Sequence, residues 1–91
     1  MGDVRQSPST AVLMRLTSQW PAALRTTRAL VDSGATVMLF FLGYAPMTVD
    51  YPMLDELGVE CFADTRQKNI EYLPVDAIAA ILKQCDLVIP V

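Results

Sequence analysis

The sequence contains no histidine and only two cysteines, Cys61 and Cys85. So small a set of soft ligands leaves no basis for a zinc site and none for a disulfide framework. Unpaired thiols suit a reducing compartment, so a cytoplasmic location is expected. Positive charge is also scarce: seven basic residues stand against ten acidic ones, for a net charge of −3. Arg25 and Arg28 share one helix face, but no basic stripe develops, and nucleic acid is not expected as a partner. Long apolar runs are missing too. The longest, Val37 to Leu42, is far too short to span a bilayer, so no membrane partner is expected. The opening Met1–Thr10 is polar and lacks the apolar core of a secretory signal. Finally, the first strand-to-helix turn reads Thr17-Ser18-Gln19-Trp20-Pro21, with neither GxGxxG nor a Walker motif, and no cofactor is expected.

What the chain does have is apolar side chain: 53% of its 91 residues are hydrophobic. That length suits one domain, and one small core cannot enclose so much apolar surface. A homo-oligomer is therefore expected, with Tyr44, Met47, Tyr51 and Met53 as candidate contacts.

The order of elements follows from periodicity and punctuation. Residues 1–10 read as a flexible tail, and residues 11–91 as one α/β domain. Ala11–Thr17 is a short apolar run broken only by Arg15, which suits a buried strand. Ser18 and Pro21 then open a helix whose core face carries Trp20, Ala23, Leu24, Thr27, Leu30 and Val31, and Gly34 closes it. Thr36–Leu42 is apolar on both alternating faces, as an interior parallel strand requires. Asp50 and Pro52 start a short helix over Met53–Leu57, ended by Gly58. Val59–Ala63 is the third strand. Pro74 opens a last helix with Val75, Ile78, Ala79, Leu82 and Cys85 on one face, and Leu87–Val91 closes the chain as a strand.

Strands alternating with helices predict a three-layer, flavodoxin-like domain: a mostly parallel sheet of about four strands with helices on both faces. The expected strand order is 2-1-3-4. In such sheets ligands bind beyond the carboxyl ends of the strands, where the order reverses. Here that would be between the first and third strands, where the Thr17–Trp20 turn meets the segment Cys61–Lys68, with Gly43 and Tyr44 close by.

Cys61 is the only good nucleophile in that set. A thiol acts as thiolate, and Arg66 and Lys68 just beyond it are candidates to favour that form or to bind an anion. Ser18, Tyr44 and Asp64 complete the candidate substrate-binding set. An alternative reading makes Cys61 a small core residue, since free cysteine is among the most buried types. Cys85, on the apolar face of the last helix, is expected in the core. Arg15, the one charge inside an apolar strand, needs a partner or water; an ion pair with Glu60, a bound anion and an escape into solvent are all open.

Three stretches resemble the DsrE/DsrF-like family of small sulfur-carrier and sulfur-relay proteins. Thr27–Phe41 resembles the family's helix, glycine and strand ending in paired aromatics. Leu57-Gly58-Val59-Glu60-Cys61 resembles its approach to the sulfur-carrying cysteine, and Cys85-Asp86-Leu87-Val88-Ile89 its closing strand. Family members often carry Cys-x-x-Cys followed by a basic residue, glycine and an aliphatic residue. Here Asp64 stands in place of the second cysteine and Lys68-Asn69-Ile70 in place of that ending, so no internal disulfide cycle is possible. The resemblance implies a single-cysteine carrier holding sulfane sulfur as a persulfide on Cys61, with a sulfur donor or acceptor protein as partner. Against it stand a non-enzymatic oligomeric adaptor and a small-ligand-binding domain.

Overall fold

A computed structural model describes residues 9–91. It shows strand β1 (Ser9–Met14), a 3-10 turn (Thr17–Gln19), helix α1 (Trp20–Asp32), strand β2 (Thr36–Phe41) and helix α2 (Tyr51–Glu56). Strands β3 (Glu60–Ala63) and β4 (Glu71–Tyr72), helix α3 (Val75–Gln84) and strand β5 (Leu87–Pro90) follow. The proposed tail over residues 1–10 falls mostly outside the described residues. Its last two do not: Ser9 and Thr10 begin β1, and Thr10 is buried.

Ser18, expected to cap α1, lies instead within the 3-10 turn, and Gln19 stands at the cap of α1 without a side-chain hydrogen bond to it. Asp50 caps α2, its Oδ1 accepting from the Met53 N–H at 3.1 Å. Gly34 leaves the end of α1 with φ +93°, a backbone region in which a Cβ is strained.

All strands are parallel and run in the order β4-β3-β2-β1-β5. This corrects the expected order, because β1 and β3 are not neighbours: β2 lies between them. The sheet also has five strands rather than four. The extra one, β4, is only two residues long, too short to leave an alternation pattern in the sequence. Ile70 is buried beside it, and Asn69 turns the chain into it with φ +68°.

The order and the layers have one cause. Parallel crossovers share a hand, so connections that travel in opposite directions along a sheet place their helices on opposite faces. The chain steps one way from β1 to β3 through α1 and α2. Trp20, Ala23 and Leu54 from those helices share a core with Val12, Met14, Val37, Leu39 and Phe41. Helix α3 then carries the chain back past β1, and Ile78 packs on the other face with Ala11, Phe40 and Phe62. Aromatic pairs bind each layer: Trp20 and Phe41 have ring centroids 6.0 Å apart, and Phe40 and Phe62 stack at 5.4 Å.

One core group is unsatisfied. Thr27 of α1 is fully buried, and its hydroxyl has no hydrogen-bond partner among the described residues. Thr27→Val keeps the shape and removes the orphaned hydroxyl, which should stabilise the fold by about 1 kcal/mol. Urea denaturation checks this: the midpoint rises with an unchanged slope, whereas a lower midpoint would show that the hydroxyl is bound in solution.

Candidate functional site

In a parallel sheet every strand ends on the same side, so the segments after β1, β2, β3 and β5 converge on one edge. Ser18, Tyr44, Asp64, Arg66 and Lys68 all lie in segments leaving that edge. They do not form one cluster around Cys61.

Asp64 and Gln67 tie two of these segments together. The Gly43 N–H donates to Asp64 Oδ1 at 2.7 Å, and the Thr65 hydroxyl donates to the same oxygen at 3.2 Å. The Ala45 N–H donates to Gln67 Oε1 at 2.8 Å, while Gln67 Nε2 donates to the Gly43 and Thr65 carbonyls at 3.0 and 3.1 Å. Asp64 is thus engaged in holding the backbone. Gln67, absent from the expected site set, shares the work; a lone glutamine in a polar segment carries no spacing signal.

The Arg66 guanidinium lies over the Tyr72 ring, 4.3 Å from its centroid. Lys68, Ser18 and Tyr44 are exposed. Of the expected apolar contacts, Tyr44 and Met47 are exposed, whereas Tyr51 and Met53 are half-buried against the core.

Cys61 sits mid-sheet opposite Leu39 and packs toward the α1/α2 core, half-buried. Because β4 pairs only with Phe62 and Ala63, the outer edge of β3 at Glu60–Cys61 is left open. A cleft of about 280 Å³ forms there, lined by Tyr51, Asp55, Glu60, Asn69 and Glu71 beside the thiol. Neither Arg66 nor Lys68 lines it. Burial pushes the thiol up to about 11. It also raises the Tyr51 hydroxyl, with the nearby Cys61 as a lesser cause. Arg66 and Lys68, expected to favour the thiolate, thus lie outside the cleft, whose charged side chains are the carboxylates Asp55, Glu60 and Glu71. Cys85, expected in the core, is half-buried instead at the end of α3, its Sγ donating to the Ile81 carbonyl at 3.4 Å.

The Arg15–Glu60 pair is also corrected. Strand β1 ends at Met14, so Arg15 is exposed beyond it. Glu60 begins β3 and is level with Met38, hence with Ala11, about 13 Å below Arg15 along the strand direction and two strands away.

Strand order relocates the crevice. The reversal falls between β1 and β5, since β1 connects onward to β2 while β5 arrives on its other side. At the carboxyl ends there, a cavity of about 350 Å³ is lined by Leu13, Arg15, Gln19, Leu42, Pro90 and Val91. Arg15 is the only charged side chain in that wall.

Compared with family models, curated proteins and solved structures, the chain matches none. No helix among the described residues is long and apolar enough to cross a membrane, and no cluster of three or more metal-ligating side chains forms among them.

The geometry sets two outcomes. Asp64→Ala removes the acceptor of the Gly43 N–H and should cost about 2 kcal/mol in urea unfolding; Asp64→Asn, which keeps an acceptor oxygen, should cost less. Folding also raises the Cys61 pKa, so the native state holds this proton more tightly than the unfolded chain does. Its contribution to stability is full below about pH 8.5, the free-thiol range, and is lost as pH rises through about 11. Stability curves from pH 8 to 11 should fall less steeply in Cys61→Ala than in the unaltered chain; parallel curves would refute the assignment.

Proposed function

We propose that the chain is a small-ligand-binding α/β domain whose site is the crevice at the carboxyl ends of β1 and β5. The observation that carries this reading is the coincidence of place and shape: the 350 Å³ cavity lies where the strand order reverses. From β1 the chain goes on to β2 on one side, while α3 delivers β5 to the other, and open α/β sheets take their ligands where the order reverses in this way. The volume lies within the range of small-molecule sites, and the apolar side chains of Leu13, Leu42 and Val91 with one cation match their usual make-up. Nothing in the wall is a nucleophile or general base, so the reading is binding without chemistry.

A second reading follows from the resemblance to sulfur carriers. It is supported by Cys61 lining an open cleft, and opposed by burial, which pushes the thiol up to about 11 and disfavours the thiolate. Transfer to Cys61 would then depend on a donor whose own groups remove the proton.

Methyl NMR with a library of small organic probes tests the first reading. Leu13, Leu42 and Val91 should shift on binding; shifts confined to the cleft beside Cys61 would move the site there. Mass measurement after exposure to a persulfide donor tests the second. The gain of one sulfur atom, lost in Cys61→Ser, supports a carrier, and an unchanged mass with full recovery of free thiol removes it.

A further inference from the structure

We infer that the ligand of the β1/β5 crevice carries an oxyanion head, a carboxylate or phosphate, on an apolar body, and that Gln19 Oε1 occupies the place of one of the head's oxygens. The inference rests on the crevice being a binding site and names what it selects.

Three features of the wall point the same way. Arg15 is exposed at the crevice, and no Asp or Glu side chain lines the cavity wall beside it. The Arg15 and Leu16 N–H groups lie beyond the last paired residue of β1, so the sheet does not use them. Both donate instead to one acceptor, Gln19 Oε1, at 3.1 and 3.0 Å. Successive N–H groups converging on a point form an anion-binding concavity. A neutral carboxamide oxygen now fills it, and Gln19 itself lines the cavity. The remaining wall, Leu13, Leu42, Pro90 and Val91, offers the ligand's body only apolar side chains.

The exchange is favourable on general grounds. Hydrogen bonds to a charged acceptor are about twice as strong as those between neutral groups. An entering oxyanion would replace the two bonds made by Gln19 with charge-assisted ones and gain the Arg15 guanidinium, whose planar fork suits carboxylate and phosphate alike. A dinucleotide is not accommodated in this way, because the turn Arg15–Gln19 has no glycine to let a pyrophosphate approach the backbone.

The test uses the full chain, labelled for amide and methyl NMR, with hexanoate, phenyl phosphate and hexanol as probes. Hexanoate, phenyl phosphate or both should shift the Arg15 and Leu16 amides together with the Leu13 and Leu42 methyls, and the tighter of the two identifies the head. Arg15→Gln should weaken that binding about tenfold without altering the fold, since Arg15 is exposed. Gln19→Ala should bind the anions more tightly than the unaltered chain, and Gln19→Glu, which supplies its own carboxylate, should abolish their binding. If hexanol shifts the crevice methyls as strongly as the anions do and Arg15→Gln changes nothing, the oxyanion inference is overturned while the ligand site stands. If none of the three probes shifts crevice signals, the site itself is refuted.

Discussion

Strand β1 is enclosed on four sides at once, and the rest of the molecule is arranged around that burial. β2 and β5 occupy its two edges, the α1/α2 core covers one face, and the core beneath α3 covers the other. Ala11, Val12 and Met14 are accordingly shut off from solvent. Within such a sleeve an unpaired guanidinium would cost several kcal/mol, so Arg15 stands beyond the last ladder residue. The place where apolar sequence gives way to Arg15 is therefore where β1 ends and where the crevice opens. Fold and proposed site share one boundary.

The two hollows of the molecule are electrostatic opposites. Beside Cys61, Asp55, Glu60 and Glu71 gather on an open sheet edge that β4 is too short to close. Partial burial favours the neutral thiol, and neither Arg66 nor Lys68 lines the cleft to offset it. The β1/β5 crevice has a single cation, two convergent N–H groups and apolar walls. Nucleophilic sulfur chemistry at the first would have to work against its surroundings. Anion capture at the second uses its surroundings as they stand.

Much of this was legible in the chain. Trp20, Ala23 and Thr27 at helical spacing, and the apolar run Val37–Phe41, announced α1 and an interior parallel strand, and both are buried as their periodicity required. Strand order was not legible. Period-two and period-3.6 patterns say which faces are apolar, but nothing about which strand lies beside which; the run Leu87–Ile89 would read the same beside β1 or beside β3. That omission displaced the expected crevice and, with it, the relevance of Arg66 and Lys68. Arg15 and Gln19 were missed as partners for a related reason. Arg15 stood out as a charge in an apolar strand, but Gln19 looks ordinary in sequence, and only the end of β1 and the 3-10 turn bring its oxygen to two idle N–H groups.

Three polar side chains, Asp64, Gln67 and Gln19, satisfy backbone N–H groups at the carboxyl edge, and the difference in their reach separates scaffold from site. Asp64 and Gln67 bond across more than twenty residues, joining the segment after β2 to the segment after β3. Displacing either would remove side-chain hydrogen bonds that join these two segments beyond the sheet. Gln19 bonds only to residues three and four positions before it, within its own turn. Its release leaves α1 seated through Trp20 and Ala23, which are buried in the core. The hydrogen bonds a ligand would have to replace are thus the ones whose loss stays local, whereas those that set the height and spacing of the neighbouring strand ends are left intact. A crevice built this way can exchange an internal acceptor for an external one without loosening the edge that shapes it.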